Sequence, residues 1–248
     1  MALLPSSFDS ARGHLASAAA RARAHAWEWA ECALNLAFPW AENTAAEPVR
    51  IERPFCEQCG YPYPALKGHQ SAFVCSTCEN RTWYFQWARS GYRTDGQVLD
   101  AIIGFKYRDE YYQQSRLVQW LTEVYDQHVR SGQWHALVPV PLYHRRRRER
   151  GFNQAHEMAR GLGDKRKIPV LDCLYRYRET VSQTKLERTA RWENMSGAFQ
   201  MKRGFDVKGQ NLLVIDDVFT TGATVNACAQ ALAKAGAGQL AVLTIARS

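Results

Sequence analysis

Two adjacent carboxylates stand near the C-terminal end of the chain, within LLVIDDVFTTGATV, residues 212–225. Asp216 and Asp217 follow four apolar residues that have the composition of a buried strand. Two like charges this close repel each other and lose hydration when buried, so they require a cation or a ligand that donates hydrogen bonds. A ribose ring offers two vicinal hydroxyls, and an associated Mg²⁺ would balance the charge. The pair is therefore a candidate sugar-binding site.

A turn of small residues follows the acidic pair and leads into an alanine-rich helix. It comprises Thr220, Thr221, Gly222, Ala223 and Thr224. Its backbone N–H groups and hydroxyls can surround a phosphate at the helix N-terminus, and its glycine permits positive φ and close approach of a ligand. Carboxylates beside a phosphate cradle describe a site for a sugar phosphate. The alternative is that Asp217 and the threonines cap the turn and helix without a ligand. The order of strand, acidic pair, turn and helix favours the ligand site.

Four of the seven cysteines form two close pairs: Cys56, Cys59, Cys75 and Cys78. The spacing Cys-x2-Cys-x15-Cys-x2-Cys is typical of a zinc site with four thiolate ligands. Four thiolates complete a tetrahedron and leave no open position, which indicates a structural ion. Two disulfides are the competing interpretation, which is disfavoured because the N-terminal sequence has no continuous apolar segment of the kind that directs secretion. The other cysteines lie in apolar surroundings and are interpreted as core residues.

The apolar pattern of the C-terminal half predicts a layered α/β fold. From residue 135 onward, short apolar strands alternate with helices. The strands are predicted at 135–142, 211–218 and 240–247, and the helices at 152–162 and 223–236. Strands that are nearly all apolar are buried on both faces, which is typical of a parallel sheet covered by helices. Ligands bind such sheets at the carboxyl ends of the strands, where the acidic pair would lie.

The first half of the chain predicts two smaller units before this α/β domain. Residues 8–37 have a high alanine content and predict a helix, and residues 83–94 predict a strand or hairpin. Two further helices are predicted, one capped by Asp95 and one over residues 110–129 with an apolar stripe at helical spacing. The predicted domains are an N-terminal helix with its linker at 1–49, a zinc-binding module at 50–94 and the α/β domain at 95–248.

The stretch VIDDVFTTGATV, residues 214–225, resembles the phosphoribosyl-pyrophosphate (PRPP) binding motif of the type I phosphoribosyltransferases. The resemblance implies a fold with a parallel core sheet, in which Asp216 and Asp217 hold the ribose hydroxyls. It also implies that residues 220–224 hold the 5′-phosphate and that Mg²⁺ accompanies PRPP. The pyrophosphate group of PRPP carries concentrated negative charge, so basic residues are expected beside the motif.

Basic residues are concentrated in one part of the chain. The formal net charge is +8, and residues 128–203 hold 17 Lys and Arg against 7 Asp and Glu. The segment 138–160 predicts a basic loop between a strand and a helix, and its Arg146 and Arg150 are assigned to pyrophosphate stabilisation. Three neighbours are assigned to the surface: Arg145, Arg147 and Arg148. The alternative is that the segment is a solvated or nucleic-acid-binding face.

Two further segments resemble the competence protein F family, also called the ComF/GntX family of phosphoribosyltransferase-like proteins. The first is RGFNQ, residues 150–154, and the second is a spaced set comprising Thr180, Gln183, Leu186, Arg191, Asn194, Ala198 and Phe199. The similarity spans about residues 50–248. In this family a Lys-Tyr pair recurs at the position of Lys106, which implies that this lysine reaches the ligand. The stretch around the second set has the composition of a mobile lid, with candidate residues Thr180, Gln183, Arg191 and Asn194.

The family resemblance implies a role in DNA uptake during natural competence, and three functions are compatible with it. The chain could bind PRPP and hold single-stranded DNA with the competence machinery, act as a phosphoribosyltransferase in nucleotide metabolism, or act as a PRPP-sensing regulator. DNA would contact the basic surface and the aromatic and basic residues of 81–93; alternatively, those aromatics pack the zinc module onto the main domain. No apolar run is long enough to span a bilayer, and a cytoplasmic location is expected.

Overall fold

The computed structural model describes residues 47–63, 73–129, 133–178, 192, 195 and 197–248. The strands are β1 (Ala88–Arg93), β2 (Ala136–Pro139), β3 (Leu174–Arg176), β4 (Phe199–Met201), β5 (Leu212–Phe219) and β6 (Leu240–Arg247). The helices are α1 (Ser76–Glu79), α2 (Gly96–Tyr107), α3 (Gln113–His128), α4 (His144–Arg150), α5 (Gln154–Arg166) and α6 (Ala223–Lys234). The predicted helix at 8–37 lies outside the described residues.

Four parallel strands form the central sheet, in the order β1-β6-β5-β2. The two middle strands are in register from Leu212 opposite Leu240 to Phe219 opposite Arg247. Parallel neighbours need a crossover connection, and α6 supplies it between β5 and β6. β3 and β4 form a separate antiparallel pair. The parallel sheet with its covering helices confirms the predicted α/β class.

The middle strands are buried on both faces, as the apolar pattern predicts. In β5, Leu212 and Val214 belong to the core that includes α6, whereas Leu213 and Ile215 belong to the core that includes α2, α3 and α5. All eight residues of β6 are buried. Because successive side chains of a strand point to opposite faces, this alternation produces a helical layer on each side of the sheet. The polar residues that continue β5 therefore stand at an edge between two packed layers.

Three details differ from the expectations of the sequence. β5 runs from Leu212 to Phe219, so it is shifted by one residue from the predicted strand at 211–218, and both carboxylates lie within it near its carboxyl end. The predicted basic loop within 138–160 contains the helix α4, which gives its arginines defined faces. The predicted strand or hairpin at 83–94 is a strand only from Ala88, and it forms an edge of the main sheet beside β6. Among the helices in the described part of the chain, none has the length and apolar character needed to cross a membrane.

Candidate functional site

The acidic pair lies near the carboxyl end of β5 and is joined there by a lysine from α2. Asp217 forms an ion pair with Lys106, whose Nζ contacts Asp217 Oδ2. The lysine and aspartate side chains are only 17% and 7% exposed, so water screens their attraction weakly. Asp217 shares its strand parity with Leu213 and Ile215, which face the core that includes α2. The fold therefore brings Lys106 to the carboxylates from a distant part of the sequence.

The two carboxyls have opposite protonation tendencies. Burial raises the pKa of Asp216 well above its usual range, and the neighbouring charge of Asp217 raises it further. Burial acts in the same direction on Asp217, but the charge of Lys106 together with hydrogen bonds from Asp216 and Lys106 lowers the pKa of that carboxyl. A protonated Asp216 beside an ionised Asp217 presents one hydrogen-bond donor and several acceptor positions. Such a pair is chemically suited to the hydroxyls of a sugar.

The turn after β5 is packed tightly against aromatic side chains. Gly222 has a φ of +80°, and a Cβ atom there would lie 2.5 Å from Phe219 Cζ and 2.8 Å from Trp83 Cζ3. Only glycine fits this position without displacing a ring. Ala223 N–H donates to Thr221 Oγ1 at 3.4 Å where α6 begins. The predicted cradle at 220–224 thus lies at the carboxyl edge of the sheet, at the N-terminus of a buried helix.

The arginine helix α4 divides its side chains between two environments. Arg146 and Arg150, four residues apart on one face, are half-buried, whereas the other three arginines are exposed. The guanidinium of Arg150 lies over the ring of Tyr107, 4.9 Å from its centroid. Tyr107 is the last residue of α2 and directly follows Lys106 in the sequence. The contact therefore places Arg150 beside the C-terminal end of α2. The predicted lid residues lie outside the described residues: Thr180, Gln183, Arg191 and Asn194.

The four predicted metal ligands form one compact cluster. The Sγ atoms of Cys56, Cys59, Cys75 and Cys78 all lie within 4.8 Å of one another. Zinc–thiolate bonds of about 2.3 Å in a tetrahedron place the sulfurs roughly 3.8 Å apart, and Cys59 Sγ and Cys75 Sγ are 3.9 Å apart. That separation is much longer than a disulfide bond of about 2.05 Å. The donor set and its geometry therefore fit a metal ion such as zinc.

Two tight turns build this cysteine cluster. Gly60 N–H donates to Cys56 O at 2.8 Å, and Cys78 N–H donates to Cys75 O at 2.7 Å. Gly60 has a φ of +67°, and a Cβ atom there would lie 2.8 Å from Ala88 O, so the first turn requires glycine. Cys75 N–H also donates to Cys56 Sγ at 3.3 Å, a contact that stabilises negative charge on the sulfur.

The two other described cysteines are core residues. Cys173 and Cys228 are fully buried. Burial raises the pKa of the Cys173 thiol to about 11 and raises the pKa of the Cys228 thiol as well. Since the thiolate is the nucleophilic form, neither side chain is suited to covalent catalysis near neutral pH.

The aromatic residues that follow the cysteine cluster pack inward. Phe85 and Tyr92 are buried, and the indole of Trp83 contacts the rings of Phe85 and Trp192. Among the aromatics within 81–93, only Tyr84 is exposed, at 36%. These contacts agree with the second of the two alternatives for residues 81–93, in which the aromatic rings serve packing. Few rings are left exposed for stacking on bases.

The sequence pattern alone misses two arginines near the site. Arg176 is the last residue of β3. Burial lowers the pKa of its guanidinium, the positive charge of Arg146 lowers it further, and the negative charge of Asp216 opposes these two effects. Arg247 ends β6 and contacts Cys59 and the backbone just before the glycine turn. Both arginines could have been found from the sequence as charged residues at the end of a strand, because the ends of the strands surround the ligand crevice in such a sheet.

A cationic cavity of about 370 Å³ opens between α4, the start of α5 and the β3–β4 pair. Its charged and titratable lining residues are His144, Arg147, His156, Asp172, Arg176 and Lys202. Asp172 pairs with Lys202 at 2.7 Å, so the acid does not cancel the arginine charges. Tyr175 and Tyr177 also line the cavity, 38% and 43% exposed, with ring centroids 6.4 Å apart. Cations beside exposed rings suit an anionic ligand that contains aromatic bases.

Known proteins are similar to this chain over most of its length. The family model described as "Phosphoribosyl transferase domain" matches residues 108–248. Competence protein F of Haemophilus influenzae is 28% identical over 204 residues, which cover 79% of this chain and 85% of that protein. DNA utilization protein YhgH of Salmonella typhi is 30% identical over 221 residues, covering 83% and 89%. Competence protein ComFC of Bacillus subtilis is 29% identical over 205 residues, covering 80% of each. The chain belongs to the competence protein F family.

In this member of the competence protein F family, the matched domain contains the acidic pair, the glycine turn and α4. Lys106 lies just before residue 108, where the match begins, and the cysteine cluster lies further upstream. The ion pair between Lys106 and Asp217 therefore connects the matched region to a residue that lies two positions before it.

Proposed function

We propose that this competence protein F family member binds PRPP, or a closely related phosphoribosyl ligand, at the carboxyl end of β5. The observation that carries the proposal is the buried Lys106–Asp217 pair beside Asp216 and directly before the Gly222 turn. A pentose with vicinal hydroxyls and a phosphate has complementary chemistry. Its hydroxyls hydrogen-bond to carboxyls, and its phosphate accepts hydrogen bonds at a helix N-terminus.

The proposed roles use the residues that the sequence predicts. Asp216 and Asp217 hold the ribose hydroxyls, and residues 220–224 hold the 5′-phosphate. The pyrophosphate is stabilised by three cations, Lys106, Arg146 and Arg150. Mg²⁺ arrives with PRPP and is coordinated by its oxygens, since Mg²⁺ prefers phosphate oxygens and carboxylates. A lid that contains Thr180, Gln183, Arg191 and Asn194 completes the site.

Calorimetric titration with PRPP and Mg²⁺ tests this site. We expect the wild-type chain to bind and the Asp216→Asn, Asp217→Asn double variant to show no heat of binding, because amides cannot replace the ionised acceptor. An Asp164→Asn variant, which changes an exposed acid on α5, should bind as the wild type does. Equal affinity of the double variant and the wild type would place the ligand elsewhere.

We also propose that the chain acts in DNA uptake by holding single-stranded DNA. The names of its relatives, competence protein F, ComFC and DNA utilization protein, support the biological role. The cationic cavity supports the contact, because Tyr175 and Tyr177 expose their rings beside Arg147 and Lys202. Bases stack on exposed aromatic rings while nearby cations follow the phosphate backbone. We therefore assign the DNA contact to this cavity and not to the aromatic residues of 81–93, which pack inward.

Fluorescence anisotropy with a labelled oligothymidine tests the DNA contact. The Tyr175→Ala, Tyr177→Ala double variant should lose about fivefold or more in affinity for each stacked base. Tyr84→Ala removes the exposed ring within 81–93, whose hydroxyl accepts a hydrogen bond from Gln230 of α6, and this variant should bind normally. Affinity should fall steeply with salt concentration, because lysine and arginine release counterions from the phosphates. Loss with Tyr84→Ala alone would return the contact to the zinc module, and no binding at low salt would refute the DNA role.

An active phosphoribosyltransferase in nucleotide metabolism is the second candidate, favoured by the half-buried arginines of α4. In that reaction the bond from the anomeric carbon to pyrophosphate breaks and an acceptor atom bonds to the same carbon. Cations beside the departing oxygens would stabilise the charge that develops there. Pyrophosphate detection with PRPP, Mg²⁺ and a panel of nucleobases and amines distinguishes the candidates. PRPP binding without turnover and without DNA affinity would identify a PRPP-sensing regulator.

We propose that the cysteine cluster holds a structural zinc ion within a module of residues 50–94, ahead of a phosphoribosyltransferase-like domain at 95–248. Zinc with four thiolates supplies a rigid cross-link and no catalytic position. Thiols that are not joined as disulfides suit a reducing compartment, so we place the protein in the cytoplasm.

A further inference from the structure

One side chain connects the cysteine cluster with the backbone that precedes the glycine turn. Arg247, the last residue of β6, donates from Nη2 to Cys59 Sγ at 3.4 Å. Its Nη1 reaches the carbonyls of Phe219 and Thr220, at 3.5 and 3.4 Å. These two residues are the last before Thr221 and Gly222, so the guanidinium contacts a predicted metal ligand and the predicted phosphate turn at once.

The surroundings of Arg247 make its contact with sulfur energetically important. The residue is 9% exposed, and its guanidinium lies 4.4 Å from the ring centroid of Phe219 and 5.2 Å from that of Tyr61. A buried cation requires compensating negative charge. Thiolates held together by a divalent ion would therefore fix both the charge and the position that this guanidinium needs.

We infer that Arg247 is a positioning residue that couples metal binding in the cysteine cluster to ligand binding at the turn. A bound metal would hold the Cys59 sulfur at a fixed position, and Cys59 would then orient the guanidinium toward the two carbonyls. Without the metal, the four sulfurs would no longer be held together, so the guanidinium would lose its fixed contact with Cys59 and the carbonyls of residues 219 and 220 would lose an anchor. This inference rests on the proposed PRPP site, and it adds that the site is completed only in the metal-loaded protein.

Linkage supplies a test with a readout other than activity. If metal binding strengthens PRPP binding at the turn, then PRPP must increase the affinity for the metal by the same factor. Zinc transfer from the full chain to a chromogenic chelator is followed with and without PRPP and Mg²⁺. We expect PRPP to reduce the extent of zinc transfer at equilibrium about 5- to 10-fold in the wild type. Calorimetry on zinc-depleted protein should show PRPP affinity reduced by the same factor.

Two variants of the linking residue isolate its contribution. Arg247→Lys keeps a cation but lacks the fork that reaches sulfur and carbonyls together, and Arg247→Met keeps bulk without charge. Both should still bind zinc, and in both the effect of PRPP on zinc transfer should disappear. The matched control is Arg93→Lys, because Arg93 is the in-register partner of Arg247 at the end of β1 and is exposed. That control should retain the wild-type coupling.

The outcomes separate this inference from the proposed function. If calorimetry shows PRPP binding but zinc transfer from the wild type is unaffected by PRPP, the coupling is refuted and the PRPP site stands. Full coupling in Arg247→Lys would show that another contact joins the two sites, which also refutes the role of Arg247. If the wild type binds no PRPP, the proposed function itself is wrong. Should Arg247→Met fail to fold, Arg247→Lys and the wild type still decide the question.

Discussion

Gly222→Ala tests how tightly the turn after β5 is packed against Trp83, which follows the cysteine cluster in the sequence. The glycine adopts a φ of +80°, where a residue with a Cβ atom costs about 1–2 kcal/mol. In addition, the new methyl would lie 2.5 Å from the buried ring of Phe219 and 2.8 Å from the ring of Trp83, which packs against the core. Overpacking of this kind costs about 1–3 kcal/mol. We therefore expect the free energy of unfolding to fall by about 2–5 kcal/mol.

Gly151→Ala is the matched control for the backbone term. Gly151 has a φ of +79°, and a Cβ atom there would meet nothing within 4 Å. Its substitution should cost only the backbone term of about 1–2 kcal/mol. Urea unfolding, followed by tryptophan fluorescence, measures the free energy of unfolding of both variants. We expect Gly222→Ala to lose about 1–3 kcal/mol more than Gly151→Ala, because only the first substitution also overpacks the turn. Equal losses in the two variants would show that Trp83 and Phe219 do not enclose the turn.

Three further predictions concern charge and metal. Burial lowers the pKa of His128 to about 4, so the unfolded chain takes up this proton first and stability falls as pH drops from about 6.5 towards 4. After allowance for solvent screening, the free energy of unfolding in urea should be about 1 kcal/mol lower at pH 5 than at pH 7 because of this histidine. His128→Gln should remove that contribution to the pH dependence. Lys106→Met leaves Asp217 buried without its partner and should cost about 3 kcal/mol in urea unfolding, against little for the exposed Lys208→Met. Elemental analysis should find about one zinc ion per chain, lost in Cys75→Ser; a metal-free wild type would contradict this.

The sequence predicts the strand, turn and helix around Asp216 well, because local composition determines them. An apolar run buried on both faces, a glycine at positive φ and an alanine-rich helix follow each other without interruption. The cysteine cluster is predicted for a similar reason, since the spacing of its two pairs limits the geometry. Each of these features depends on neighbours in sequence.

Contacts between distant segments are what the sequence pattern does not provide. The pairing of Lys106 with Asp217 depends on how α2 packs on one face of the sheet, and only a family resemblance indicated the lysine. The bridge from Arg247 to Cys59 requires β1 to join β6, which periodicity cannot show. Similarly, the inward packing of Trp83 depends on Trp192 and the turn. The positions of these three side chains depend on tertiary packing and not on local propensity.

The central claim is that a phosphoribosyl ligand binds where β5 leads into α6. A crystal structure of the zinc-loaded chain soaked with PRPP and Mg²⁺ tests it most directly. We expect the ribose hydroxyls within hydrogen-bonding distance of Asp216 and Asp217, and the 5′-phosphate against the amides of residues 220–224. Ligand density confined to the cavity beside Tyr175, or an empty crevice at saturating PRPP, would contradict it.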